Sequence, residues 1–186
     1  DMKVIFDDMG TFVLNETTSP KAYGTEIGAF VRLDDLDTGY AYKEIDRSIF
    51  MNPDKINSRI IIPIASYNDI MKGYPIDMFL YANNYEEGEE IEFFNSSEEA
   101  IPVFKAGKRM AKGTTSEKGL VDSYFANPFG PVQNIAKTDI LIEKFFEDMF
   151  KKGVKVGQIR TQLGIKGKEK DGPKRAAQKL FDLIKD

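Results

Sequence analysis

The chain contains neither histidine nor cysteine. Without histidine there can be no Ser-His-Asp or Cys-His triad, no imidazole acid–base chemistry and no His-ligated metal. Without cysteine there are no disulfides, thiolate zinc sites or cysteine nucleophiles, and the redox compartment is only weakly bounded. An enzyme built on this sequence would have to work with carboxylates, Lys, Tyr or Ser/Thr. No GxxxxGK[ST] phosphate loop occurs, and Gly107-Lys108-Arg109 reads as a basic loop. Internal repeats are also lacking. Met2 reads as a natural start preceded by one extra residue, Asp1. The beginning is not signal-like and no long apolar run follows, so the expectation is a cytoplasmic protein without a membrane partner.

What the sequence does have is a charge split. Residues 1–100 carry 8 Lys+Arg against 20 Asp+Glu, a net of −12, and residues 101–186 carry 18 against 10, a net of +8. The overall net charge of −4 hides both halves. Asymmetry of this kind suggests two surfaces with different partners: nucleic acid for the basic half, a basic protein surface for the acidic half. At 186 residues, 41% of them hydrophobic, the chain can bury a core.

Through residue 104 the pattern is one of strands and turns, read as an acidic, antiparallel sheet-rich domain. Val4-Ile5-Phe6 and Phe12-Val13-Leu14 flank one turn, which explains Asp7 and Asp8. Ile27–Leu33 and Tyr40–Ile45 flank a second, with Gly39 suited to a bulged hairpin. The β-branched run Arg59–Ile64 contains Pro63, which cannot donate to a ladder and so suits a strand edge or end. A short helix is expected near Ser66–Lys72. Met78–Tyr81 and Ile91–Phe94 bracket a third turn. Residues 105–137, with scattered glycines and prolines and with Lys105, Lys108, Arg109, Lys112 and Lys118, read as a basic connector.

Residues 138–186 read as a basic module of three helices. Thr138 suits an N-cap, Ile142, Phe145, Phe146, Met149 and Phe150 follow helical spacing, and Gly153 is a stop. Val156, Ile159 and Leu163 suggest a second helix stopped by Gly164. Pro173 opens a third, striped by Ala176, Ala177, Leu180, Phe181 and Ile184. Residues 156–165 resemble the first helix and turn of the helix-turn-helix family, with Ile159, Leu163, Gly164 and Ile165 in its apolar and turn places. Beyond them the chain departs from the family: the seven residues Lys166–Gly172 intervene before Pro173. The resemblance implies that the third helix serves in recognition, with Lys174, Arg175, Gln178 and Lys179 toward the groove and Lys155, Lys166, Lys168 and Lys170 on backbone phosphates. Arg and Lys can pair with guanine or phosphate, and Gln with adenine. Six phosphate contacts would give a salt slope of about −5.

The densest acidic cluster runs from Tyr85 to Glu92. Tyr85, Glu86, Glu87, Glu89, Glu90 and Glu92 form a candidate docking surface for a basic protein, such as a polymerase or sigma-like factor; the bland alternative is a solvated turn. Asp34, Asp35 and Asp37 lack EF-hand spacing and read as a turn, so no metal site is assigned. Nor is any catalytic residue or cofactor. The expectation is therefore an α+β, non-enzymatic regulatory protein that binds a component of the transcription or another DNA-processing machinery and touches DNA through its basic half. Two alternatives stand beside it: a metal-dependent nuclease using Asp77, Glu90 and Glu92, and a purely protein-binding adaptor or inhibitor.

Overall fold

A computed structural model of the chain describes residues 3–7, 9–15, 17–32, 59–112, 118–123 and 134–185. The fold is α+β. It divides into two compact units, one made of Asp1–Val13 and Lys21–Tyr74, the other of Leu14–Pro20 and Pro75–Asp186. The expected strand Tyr40–Ile45, the turn holding Asp34, Asp35, Asp37 and Gly39, and Asp8 lie outside the described residues.

In the first unit, β1 (Gly10–Val13) and β2 (Lys21–Gly24) pair antiparallel, and β5 (Tyr74–Pro75) completes a sheet of order β1-β2-β5. Gly10 faces Gly24 across the ladder. Phe6 packs on both, and a Cβ at Gly24 would also collide with the buried Ile70. Val4-Ile5-Phe6, expected as a strand, is irregular. Strands β3 (Gly28–Arg32) and β4 (Arg59–Pro63) form an antiparallel pair in which Pro63 is the last residue of its strand, as its missing donor requires. Helix α1 (Tyr67–Met71) opens on a capping box: the Ser66 hydroxyl accepts from the Asp69 amide, and the Asp69 carboxylate accepts from the Ser66 amide. Lys3 pairs with that carboxylate at 2.6 Å. These bonds hold the Asp69 carboxyl below its usual range, the Lys3 contact contributing most.

The second unit is built on a three-stranded sheet of order β6-β10-β7, from β6 (Met78–Asn83), β7 (Ile91–Phe93) and β10 (Lys155–Arg160). Strand β10 lies in the middle, parallel to β6 and antiparallel to β7. Three corrections follow. Residues 156–160 form a strand, so there is no first helix of a helix-turn-helix and no three-helix module. This sheet is mixed, where a mainly antiparallel one was expected. And β6 and β7 bracket a turn but do not pair with each other. The physical reason is burial. Val156, Gly157 and Gln158 are all buried, so consecutive residues are covered on opposite faces, as a central strand requires. A run this short also fits a helical period, and packing decides between the two.

The parallel pair needs a crossover, and the intervening chain supplies it. That chain comprises α2 (Ser97–Ala106), the antiparallel pair β8 (Lys108–Lys112) and β9 (Lys118–Asp122), and α3 (Ile135–Lys151). The described parts of the expected connector thus include a strand pair and the start of α3. Phe79 from β6, Phe104 from α2 and Phe145 and Phe146 from α3 form an aromatic core, with Phe104 and Phe146 centroids 4.7 Å apart. Ile142, Met149 and Val156 are buried with them. The helical stripe read on α3 is therefore the core face. Its start lies earlier than expected: Asn134 is the cap residue, and Thr138 is buried inside the helix with its hydroxyl donating to the Asn134 carbonyl. Gly153, at φ +72°, turns the chain from α3 into β10. Helix α4 (Asp171–Lys185) follows the loop 161–170, with Gly172 and Ala176 buried.

Candidate functional site

Strands β6 and β10 end side by side, at Asn83 and Arg160. The carboxyl ends of parallel strands are where open sheets commonly place ligands, because chain segments diverge there and leave polar groups exposed. Three of the four buried polar residues among those described, Asn83, Gln158 and Gln162, lie at this end.

Asn83 is 1% exposed, and its amide is fully used. Its Nδ2 donates to Glu86 Oε2 at 2.9 Å and to Gln158 Oε1 at 3.1 Å; its Oδ1 accepts from the amides of Tyr85 and Glu86. An asparagine side chain that bonds backbone amides two and three residues on shapes the acidic turn from inside. Gln158 carries the network outward, donating to Glu92 Oε2 at 3.0 Å. The same carboxylate oxygen receives Arg160 Nη2 at 2.5 Å, while Arg160 Nη1 donates to the Glu89 carbonyl. Arg160, followed by Gln158, holds the Glu92 carboxyl below its usual range. Arg160 Nε is buried without a hydrogen bond, 3.8 Å from Glu86 Oε2. Gly88, Glu89, Glu92 and Arg160 line a shallow cavity of about 280 Å³.

The loop after β10 is tied to the same place. The Thr161 amide donates to the Asn83 carbonyl and the Gly164 amide to that of Asn84, both at 2.8 Å. Asn84 in turn bonds both backbone groups of Met110 on β8. Gln162 is the one described non-glycine residue with positive φ, at +53°; it is 5% exposed and accepts from Arg175 Nη2 at 2.6 Å. A Cβ at Gly172 would fall on the Thr161 carbonyl, so the start of α4 is pressed against the end of β10. Nearby, burial raises the hydroxyl pKa of Tyr81, which donates to the Lys108 carbonyl, and that of Tyr85.

The two residue sets singled out in the sequence meet here. Lys168 pairs with Glu87 at 2.6 Å, Arg175 with Glu90 at 3.6 Å, and Arg160 with Glu92. Of the five glutamates in the acidic set, only Glu89 has no ion pair among the described residues, and Tyr85 is half-buried. Of the basic set, Lys166, Lys170, Lys174 and Lys179 are exposed and unpaired among the described residues, the first two on the loop, Lys174 in the first turn of α4 and Lys179 just past its middle. Gln178 donates to Asp182. Lys155 stands at the other end of β10, five residues or about 16 Å away along the strand, with its Nζ 6.0 Å from the centre of the Phe93 ring. Asp77 lies immediately before β6, where its carbonyl accepts from the Lys155 amide, while Glu90 and Glu92 sit in ion pairs. Among the described residues no group of three His, Cys, Asp or Glu is placed to hold a metal ion.

Sequence reasoning missed Asn83, Gln158, Arg160 and Gln162. The one available signal was Gln158, a polar residue inside an apolar run; a helical reading of that run turned it toward solvent. Comparisons with protein-family models, curated proteins and solved structures give no match for this chain. No helix among the described residues is long and apolar enough to cross a membrane.

Proposed function

We propose that this is a non-enzymatic DNA-contacting protein that grips backbone phosphates through Lys166, Lys170, Lys174 and Lys179. The observation that carries the reading is that these four lysines stay exposed and unpaired, among the described residues, on the loop 161–170 and as far as the middle of α4. Lys170 immediately precedes α4 and Lys174 lies in its first turn, so the positive charge is concentrated at this end of the helix, where phosphate contacts add affinity by counterion release. The reading is narrower than a recognition helix. Without a helix preceding it in helix-turn-helix geometry, and with Gln178 engaged by Asp182, α4 supplies charge rather than base readout. Regulation of transcription, or of another DNA process, would be the setting for such a protein. Docking of a basic protein on the acidic turn finds no support in a turn four of whose five carboxylates, all but Glu89, already face Arg160, Lys168 and Arg175.

The test is anisotropy of a short labelled duplex titrated with the full chain, since residues 138–186 alone would lack both neighbours of β10. Four phosphate contacts predict a slope of log affinity against log salt of about −3.6. Changing all four lysines to Gln should abolish binding; a variant that binds as the wild type does would refute the assignment.

A further inference from the structure

We infer that the acidic turn between β6 and β7 is an internal stand-in for phosphate, occupying two cations that would otherwise join the DNA contact. The inference rests on the DNA-contacting reading above. Four observations bear on it. Lys168 and Arg175 lie on the same loop and helix as the four unpaired lysines, interspersed with them along the chain. Their partners, Glu87 and Glu90, both come from the one acidic turn. Carboxylates offer these cations the negative charge that phosphate oxygens would, at 2.6 Å for Lys168 and, as an ion pair without a hydrogen bond, at 3.6 Å for Arg175. Finally, both pairs lie at the surface, with Glu87 66% and Arg175 50% exposed against 33% for Lys168 and 34% for Glu90, and Arg175 keeps its bond to Gln162 on Nη2, so loss of either carboxylate leaves a cation that solvent or phosphate can reach.

The inner part of the arrangement is of another kind. Arg160 is only 12% exposed and bonds the Glu92 carboxylate and the Glu89 carbonyl, while Asn83 fixes the start of the turn from below. The turn is thus anchored at its base by buried groups, and its outer carboxylates are held where Lys168 and Arg175 reach them. In the wild type Glu87 and Glu90 keep Lys168 and Arg175 when a duplex meets the four lysines, so these two cations stay out of the phosphate contact while Arg160, Glu92 and Asn83 hold the turn in place. DNA affinity would be set below what the full basic face allows.

The experiment compares the wild-type full chain with the Glu87→Gln/Glu90→Gln variant, by anisotropy on the same duplex across about 50 to 200 mM salt. Two freed cations meeting two more phosphates should steepen the salt slope by about 1.8, so the variant should bind more tightly than the wild type and its advantage should shrink roughly 12-fold between about 50 and 200 mM salt. Glu89→Gln removes a charge from the same turn without freeing a cation, and should leave the slope unchanged. Adding Lys168→Gln/Arg175→Gln to the double variant should return the slope to that of the wild type. Binding by the double variant alone would also support the inference, as a clasp closed against DNA. If the wild type binds with the expected slope and the double variant matches it, the inference fails while the DNA reading stands. If neither binds, both fail.

Discussion

Truncating Asn83 to alanine tests the polar network at its centre. The substitution removes two donated and two accepted hydrogen bonds at a position 1% exposed to solvent. A bond to a charged partner contributes about 1.5–3 kcal/mol and a neutral one about 1 kcal/mol. Simple addition would give roughly 5 kcal/mol, but Glu86 is half-buried and can regain water. The Gln158 oxygen, on a side chain 8% exposed, cannot do so as readily. A loss of about 3–4 kcal/mol is therefore expected, read from equilibrium urea unfolding followed by far-ultraviolet circular dichroism. A loss below about 1 kcal/mol at an unchanged m-value would refute the reasoning, since it would mean the orphaned groups find other partners. Asn83→Asp sharpens the test. It keeps the shape and the two bonds from backbone amides, but it sets a carboxylate against Glu86 Oε2 and Gln158 Oε1. Burial and like charge raise the folded-state pKa of the new group, so the variant should be most destabilised at neutral pH and recover as pH falls and the group protonates.

Two further outcomes follow from the packing and the charges. Because Arg160 and Gln158 depress the Glu92 pKa, Glu92 contributes stability above its unfolded pKa of about 4.3, lost as pH falls through the lower folded value; the stability gap between wild type and Glu92→Gln should be widest at neutral pH and close in acid, and a gap constant with pH in urea titrations would contradict this. Phe146→Ala, at a side chain fully buried in the aromatic core, should cost about 3–5 kcal/mol, whereas Ile140→Ala, 66% exposed on the same helix, should stay within about 0.5 kcal/mol in thermal or urea melts.

Local chemistry was legible wherever a short window holds the whole signal. The short helix expected near Ser66–Lys72 and the stop at Gly153 are set by contacts within a few residues, and both were legible, although the capping box of Ser66 and Asp69 that opens the helix was not read. So was the core stripe of α3, because Ile142, Phe145, Phe146 and Met149 repeat at helical spacing. Residues 155–160 show the opposite case. Six residues of mixed polarity satisfy both periods, and the strand forms because β6 and β7 offer ladders on both sides. Gln158 was unreadable for the same reason: it is buried only because Asn83 and Glu92, 75 and 66 residues away in the chain, hold its amide.

By itself the sequence determined the α+β class, the chemistry ruled out by the absence of His and Cys, the amphipathic face of α3 and the excess of each charge in its own half. These are properties of composition or of neighbours along the chain. Only the tertiary structure decided where the charges go. Net charge per segment records how many ions there are and nothing of their distances, and Coulomb attraction acts on distance. Inserting β10 between β6 and β7 carries the start of the basic loop and α4 to the acidic turn. Two surfaces that looked meant for separate partners thereby become partly partners of each other, leaving Lys166, Lys170, Lys174 and Lys179 unpaired among the described residues of the loop and α4.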